Sequence, residues 1–186
     1  MKKENFNVLI AGYGGQGILT IADIIAHAAL KQGYDVKESE MHGLAQRGGS
    51  LECHVRFGRQ IDSPIIPRGS ADVIIALDAL EALRACYWAN KKTIILVNEK
   101  IFNSSIDVQK IISEMKKFAR VYSVDADAIV EKETGDIFSV NIFMLGYAVK
   151  HGLLPFSREK VWSAIQEKIR KNLLEGNKKV FDRAFS

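Results

Sequence analysis

Gly12-Tyr13-Gly14-Gly15-Gln16-Gly17 has the spacing G-x-G-x-x-G. It comes after an apolar run and opens a segment of helical periodicity, the context in which that spacing can hold a diphosphate. Glycines let the backbone turn sharply there, and free amides at a helix start, with the positive end of its dipole, suit an anion. A dinucleotide site also needs a carboxylate at the end of the second strand for the ribose hydroxyls, and Glu38 and Glu40 are the candidates. Met41 to Gly49 comes next, a polar loop punctuated by glycines where a second helix would be expected to begin. Two readings therefore stand. The turn holds an anion, or its glycines only permit close packing of a helix on the sheet or of another chain on the loop.

The second loop has chemistry of its own. Arg47 beside Gly48 and Gly49 offers a guanidinium next to flexible amides, a pairing suited to a phosphate, a carboxylate or an acidic partner surface, and His42 and Gln46 can join it. Loops after strand C-termini gather along one edge of an α/β sheet, so Tyr13 to Gln16 and His42 to Gly49 are expected near one another, with Asp78 alongside as a helix cap or a functional acid. The chain has no G-x-S-x-G elbow, no phosphate loop ending in GK[ST], no HExxH and no carboxylate pair spaced for acid–base work. Thr134-Gly135-Asp136 begins like a diphosphate–magnesium motif, but its continuation is wrong. His27 and His151 read as structural. These residues form a loop-edge binding surface without a self-sufficient catalytic set.

The elements that must position this surface alternate. Asn7 to Ala11, Val73 to Leu77, Thr93 to Val97 and Val121 to Val124 are short apolar strands of the kind buried on both faces of a parallel sheet. Ile18 to Leu30, Ala79 to Ala89 and Ile106 to Phe118 carry apolar residues at helical spacing. The pattern predicts a three-layer α/β fold with a mostly parallel, Rossmann-like sheet. Leu51 to Phe57 alternates with period two, and Arg59 to Ile66 adds a turn and two prolines, so an inserted β-hairpin or edge-strand pair is expected there. C-terminal helices complete the chain: an apolar one over Phe138 to Lys150, another from a Ser157 cap to about Glu175, then Gly176 and a last amphipathic turn or two. The prediction is a single domain over 1–186 with a helical appendage at about 157–186.

Composition narrows the classes. The chain has 186 residues, 47% hydrophobic and 26% charged, enough to form a core without a metal or disulfide. Its two cysteines, Cys53 and Cys86, have no spacing suited to an iron–sulfur cluster or zinc. The net charge of +4 comes from the tail, because residues 158–186 hold 8 basic and 4 acidic side chains out of 26 and 22 in all. With no aromatic interleaving there, solvated helix faces explain it better than nucleic-acid binding. No apolar run suits a signal peptide or a membrane span, so a cytoplasmic location is expected.

Three segments together resemble one family. Asn7-Val8-Leu9-Ile10-Ala11-Gly12-Tyr13-Gly14-Gly15-Gln16-Gly17, Ser39 to Ser50 with its Gln46-Arg47-Gly48-Gly49 core, and Asn141-Ile142-Phe143-Met144-Leu145-Gly146 are similar to the gamma subunit or domain of 2-oxoacid:ferredoxin oxidoreductases. Within it the likeness leans towards the small (beta) subunits acting on indolepyruvate, and it covers nearly the whole chain. The resemblance implies oxidative decarboxylation of a 2-oxo acid to an acyl-CoA by a hetero-oligomer. Thiamine diphosphate, Mg and 4Fe–4S clusters would sit in a large partner subunit, coenzyme A would be the co-substrate and ferredoxin the acceptor. This chain would be inactive alone and would complete the site. The residues expected to line it or to dock are Tyr13, Gly14, Gly15, Gln16, His42, Gln46, Arg47 and Gly48. The rival expectation is a free-standing NAD- or FAD-binding protein.

Overall fold

A computed structural model describes residues 5–43, 49–102 and 104–186. Gln46, Arg47 and Gly48 fall outside the described residues. The chain order is β1 (Asn5–Tyr13), α1 (Ile18–Leu30), β2 (Asp35–His42), β3 (Ser50–Gly58), β4 (Val73–Ala76), α2 (Ala79–Ala85), β5 (Ile94–Asn98), α3 (Val108–Met115), β6 (Arg120–Val124), α4 (Ala126–Thr134), α5 (Val140–Lys150), α6 (Arg158–Lys168) and α7 (Leu174–Arg183). The strands form one sheet in the order β2-β3-β1-β4-β5-β6.

β1, β4, β5 and β6 run parallel, as predicted, with β1, β4 and β5 buried on both faces and β6 only partly buried at the edge. In β1 the alternation splits the core. Val8 and Ile10 face a layer built from α1, α5, α6 and α7, while Leu9 and Ala11 face α2 and α3. Three layers result, and α1 fits the first because Ile21, Ile24, Ile25 and Ala28 recur on one face.

Some expectations need correction. Leu51 to Phe57 does form an inserted strand, but β3 is not at an edge. It lies between β1 and β2 and is antiparallel to both. Its hairpin partner is the preceding β2, and no strand forms over 59–66, where the chain instead crosses the α2 face. That crossing is fixed by Arg56, which donates to the Ser63 and Ile65 carbonyls, and by His54 Nδ1, which accepts the Ile66 N–H at 3.2 Å.

Gly176 does not separate helices. It lies inside α7, and the break comes at Ile169–Arg170, so the helix from Ser157 ends at Lys168 rather than near Glu175. α4 is a helix beyond the expected set: only Ala126 and Val130 of its nine residues are buried, so its apolar signal is weak. Among the described residues, no helix is long and apolar enough to cross a membrane.

Candidate functional site

The C-terminal ends of β1, β4 and β5 meet at the glycine turn. Gln16 fills that turn from within, its Oε1 accepting the Tyr13 N–H at 2.7 Å and its Nε2 donating to the Leu77 carbonyl at 3.3 Å. A Cβ on Gly12 would lie 2.6 Å from Gln16 Oε1 and from Ile18 Cδ1, so a larger residue there would displace the side chain that fills the turn. The Gly14 N–H donates to the Gly49 carbonyl at 3.1 Å and the Gln16 N–H to the Tyr13 carbonyl at 3.2 Å. Three amides of the turn are therefore satisfied by the protein itself.

Gly17 closes the turn in the left-handed region at φ 78°, and a Cβ on it would come within 2.3 Å of Asn141 Nδ2. α5 is thus packed directly on the turn, which links Asn141 to the N-terminal motif.

Asn98, at the end of β5, ties the next two strands to α4. Its Nδ2 donates to the Leu77 carbonyl at 3.4 Å and to Asp127 at 2.7 Å, while its Oδ1 accepts the Ala126 N–H at 3.0 Å. Asp78 is fully buried and caps α2 by accepting the Leu80 and Glu81 amides, and its second oxygen accepts the Phe102 N–H at 2.7 Å. Burial raises its pKa, while the three backbone N–H donors oppose the rise. Asp78 is therefore a cap that also holds the segment after β5 in place.

Above this polar floor lies a cleft of about 570 Å³, bordered by Gly15, Lys100, Phe102, Ile137 and Phe138. Its rim is apolar and uncovered: Phe138 is 89% exposed, Ile137 50% and Phe102 46%. The Tyr13 ring lies against Phe102 with centroids 5.3 Å apart. Three large apolar side chains clustered in solvent at a sheet edge are a feature of surfaces that associate.

Of the expected site residues, Gly15 and Gln16 line this cleft, Tyr13 reaches its rim through Phe102, and Gly14 lies in the same turn. One arm of the second loop reaches the turn, since Ser50 is the register partner of Tyr13 and Gly49 is bonded to Gly14. His42 is set apart. It pairs with Leu51, which pairs with Gly12, so two strand spacings, about 10 Å, separate it from the turn. Its imidazole lies 3.1 Å from Glu40.

The dinucleotide reading gains no support. β3 displaces β2 from its place beside β1, so Glu38 and Glu40 line a groove with Leu19, Asp23 and Cys53 rather than the turn. Among the described residues, neither the cysteines nor Thr134-Gly135-Asp136 is arranged as a cluster or diphosphate–magnesium site. Cys53 and Cys86 sit in opposite core layers. Thr134-Gly135-Asp136 ends α4: Gly135 is the left-handed cap at φ 81°, and Asp136 accepts the Phe138 N–H. Among the described residues, no three metal-ligating side chains cluster.

Sequence reasoning missed Glu81. The order Asp78-x-x-Glu81 has the form of a capping box, but the Glu81 oxygens bind the Ser50 hydroxyl and the Arg84 guanidinium instead. Glu52 stands near it and accepts from Trp88 Nε1 at 3.0 Å, with its pKa raised mainly by burial and further by Glu81. The fold thus brings together a carboxylate pair that lies 29 residues apart in sequence, too far for any spacing rule to find.

Residues 7–186 match the model of the pyruvate ferredoxin/flavodoxin oxidoreductase family. The chain belongs to that family. The indolepyruvate oxidoreductase subunit IorB of Archaeoglobus fulgidus is 38% identical over 190 residues, covering 97% of this chain and 94% of that one. Among solved structures, the pyruvate oxidoreductase subunit PORC of Thermotoga maritima superposes with a TM-score of 0.76 at 22% identity, covering 98% of this chain and 96% of that one. The 2-oxoglutarate:ferredoxin oxidoreductase of Magnetococcus marinus gives a TM-score of 0.72 at 20% identity, covering 98% of this chain but only 31% of that one. In that protein the same fold is one part of a much longer polypeptide. The fold thus occurs both as a small separate chain and as part of a longer one.

Proposed function

We infer that this chain is the small subunit of a 2-oxoacid:ferredoxin oxidoreductase acting on indolepyruvate or a related aryl pyruvate. Its role is to complete a site whose chemistry belongs to a large partner subunit. The observation that carries this reading is the end-to-end likeness to an indolepyruvate oxidoreductase subunit at 38% identity. The bare apolar rim around the cleft supports it, because Phe102, Ile137 and Phe138 stand largely in solvent.

On this reading the large subunit holds thiamine diphosphate with Mg²⁺ and the 4Fe–4S clusters. It forms acyl-CoA from coenzyme A and passes electrons to ferredoxin. Tyr13, Gly14, Gly15 and Gln16 form the docking wall here, braced against Leu77 and Asn98 so that it keeps its shape when contacted. Gln46, Arg47 and Gly48 belong to the same surface, with the Arg47 guanidinium taking an anionic group of the substrate or coenzyme. His42 serves at its margin. The pairing is a cytoplasmic hetero-oligomer in which neither nucleic acid nor membrane takes part.

Affinity purification of the tagged chain from its native host tests the assignment. A co-purifying large polypeptide, identified by mass spectrometry as carrying thiamine-diphosphate and cluster motifs, is expected. Purification of the chain alone, or with a tightly held nicotinamide or flavin, would refute it. Arg47→Ala in the reassembled complex should raise KM for the oxo acid or for coenzyme A, and unchanged constants for both would remove Arg47 from the site.

A further inference from the structure

Glu81 is a buried carboxylate that ties one arm of the site, through Ser50, to a helix. Its side chain has 0% exposure, while its ion-pair partner Arg84 is 55% exposed on the next turn of α2. Oε2 accepts the Ser50 hydroxyl, and Oε1 takes the Arg84 guanidinium. The Tyr13 phenol lies beside the same carboxylate, and burial together with that carboxylate pushes its pKa up. Tyr13 and Ser50 are register partners across β1 and β3, so both side chains are drawn to the α2 face at the point where the glycine turn and the 43–49 connection leave the sheet.

A side chain enclosed in this way, with its oxygens taken by Ser50 and Arg84, orients the groups it binds. What it provides is geometry. The Tyr13 ring lies against Phe102 on the cleft rim, and the Phe102 backbone is itself held by Asp78, which caps the same helix. α2 therefore holds Ser50 and Phe102, both neighbours of that ring, through two carboxylates, one at its cap and one in its first turn.

We propose that Glu81 is a positioning residue of the assembled enzyme, fixing Ser50 at the start of β3 and, beside it, the Tyr13 ring against Phe102, so that this edge of the site meets the large subunit in one arrangement. This rests on the subunit reading above. Neither sequence spacing nor the likeness to relatives assigns the role.

The test compares Glu81→Gln, Tyr13→Phe and the double variant, each assembled with the large subunit. The amide keeps the length and one acceptor, so the chain should fold. At saturating large subunit, kcat is expected to fall about tenfold in each single variant and no further in the double, because the two residues act as one unit. Turnover by Glu81→Gln at the wild-type rate, or losses that multiply in the double variant, would overturn the proposal.

A second readout needs no partner. Burial and the Glu81 carboxylate hold the Tyr13 phenol above its usual value of 10.0. Ultraviolet titration of the isolated chain, with Tyr13→Phe identifying the signal, should show that phenol moving down in Glu81→Gln. An unmoved phenol overturns the proposal even if the wild-type complex proves inactive, an outcome that would instead refute the subunit reading.

Discussion

Gln16 Oε1 accepts the Tyr13 N–H at 2.7 Å, three residues back along the chain, and so occupies the inside of the glycine turn with a neutral amide. The turn keeps the outline of an anion site while its hydrogen-bonding capacity is used to join β1 to β4 through the Leu77 carbonyl. Gln16→Ala should leave the Tyr13 amide without its acceptor and cost about 1–3 kcal/mol. Thermal unfolding should then drop by about 2–4 °C per kcal/mol. A melting temperature equal to that of the wild type would show that the brace is dispensable.

Gly15 and Gly17 should respond differently to the same change. Both have positive φ, at 98° and 78°, but a Cβ on Gly15 meets nothing within 4 Å whereas one on Gly17 meets Asn141. Gly15→Ala is expected to cost only the left-handed penalty of about 1–2 kcal/mol. Gly17→Ala should cost more, and Asn141→Ala in the same chain should recover part of the difference, as denaturant titration of the single and double variants would reveal.

The acid limb of stability should depend on His54. Its imidazole is fully buried, Nδ1 accepts the Ile66 N–H, and burial with the nearby Arg56 charge lowers its pKa from 6.5 to about 4. Between pH 6.5 and 4 the unfolded chain takes up a proton that the folded chain refuses, so stability falls as the pH drops through that window. His54→Gln should flatten this limb by on the order of 2–3 kcal/mol relative to wild type. Glu38, Glu52 and Asp78 are shifted up by burial and act in the opposite sense, losing stability as pH rises. Parallel stability–pH curves for the two chains between pH 4 and 6.5 would contradict the assignment to His54.

Phe138 separates docking from folding. At 89% exposure it packs little in the isolated chain, so Phe138→Ser should change stability by less than about 0.5 kcal/mol. If the rim docks as proposed, losing a central aromatic should weaken assembly by about 2 kcal/mol, roughly 30-fold in Kd. Titration of the variant against the large subunit measures this directly, and wild-type affinity would place the interface elsewhere.

The parallel half of the sheet is legible in the sequence because Val73–Ala76 and Ile94–Asn98 are buried on both faces and so appear as uninterrupted apolar runs. β2 is harder to read. Its sequence DVKESEMH lies at the sheet edge and is mostly exposed, so little distinguishes its faces, and β3 is left without an obvious hairpin partner. α4 stays hidden for a similar reason, with two buried positions in nine.

The glycine turn, by contrast, announces itself as local chemistry, although what fills it does not. Gln16 bends back on its own turn, and Ser50, Glu52 and Glu81 converge only through tertiary packing, at separations no periodicity records.

The role of this chain can be measured as the rate of ferredoxin reduction with indolepyruvate and coenzyme A, taken for the large subunit alone, for this chain alone and for the two together. A rate that is negligible for either component and rises saturably as this chain is added is the expected result. Full activity of the large subunit without it, or turnover of the oxo acid by this chain unaided, would contradict its role as the wall that completes the site.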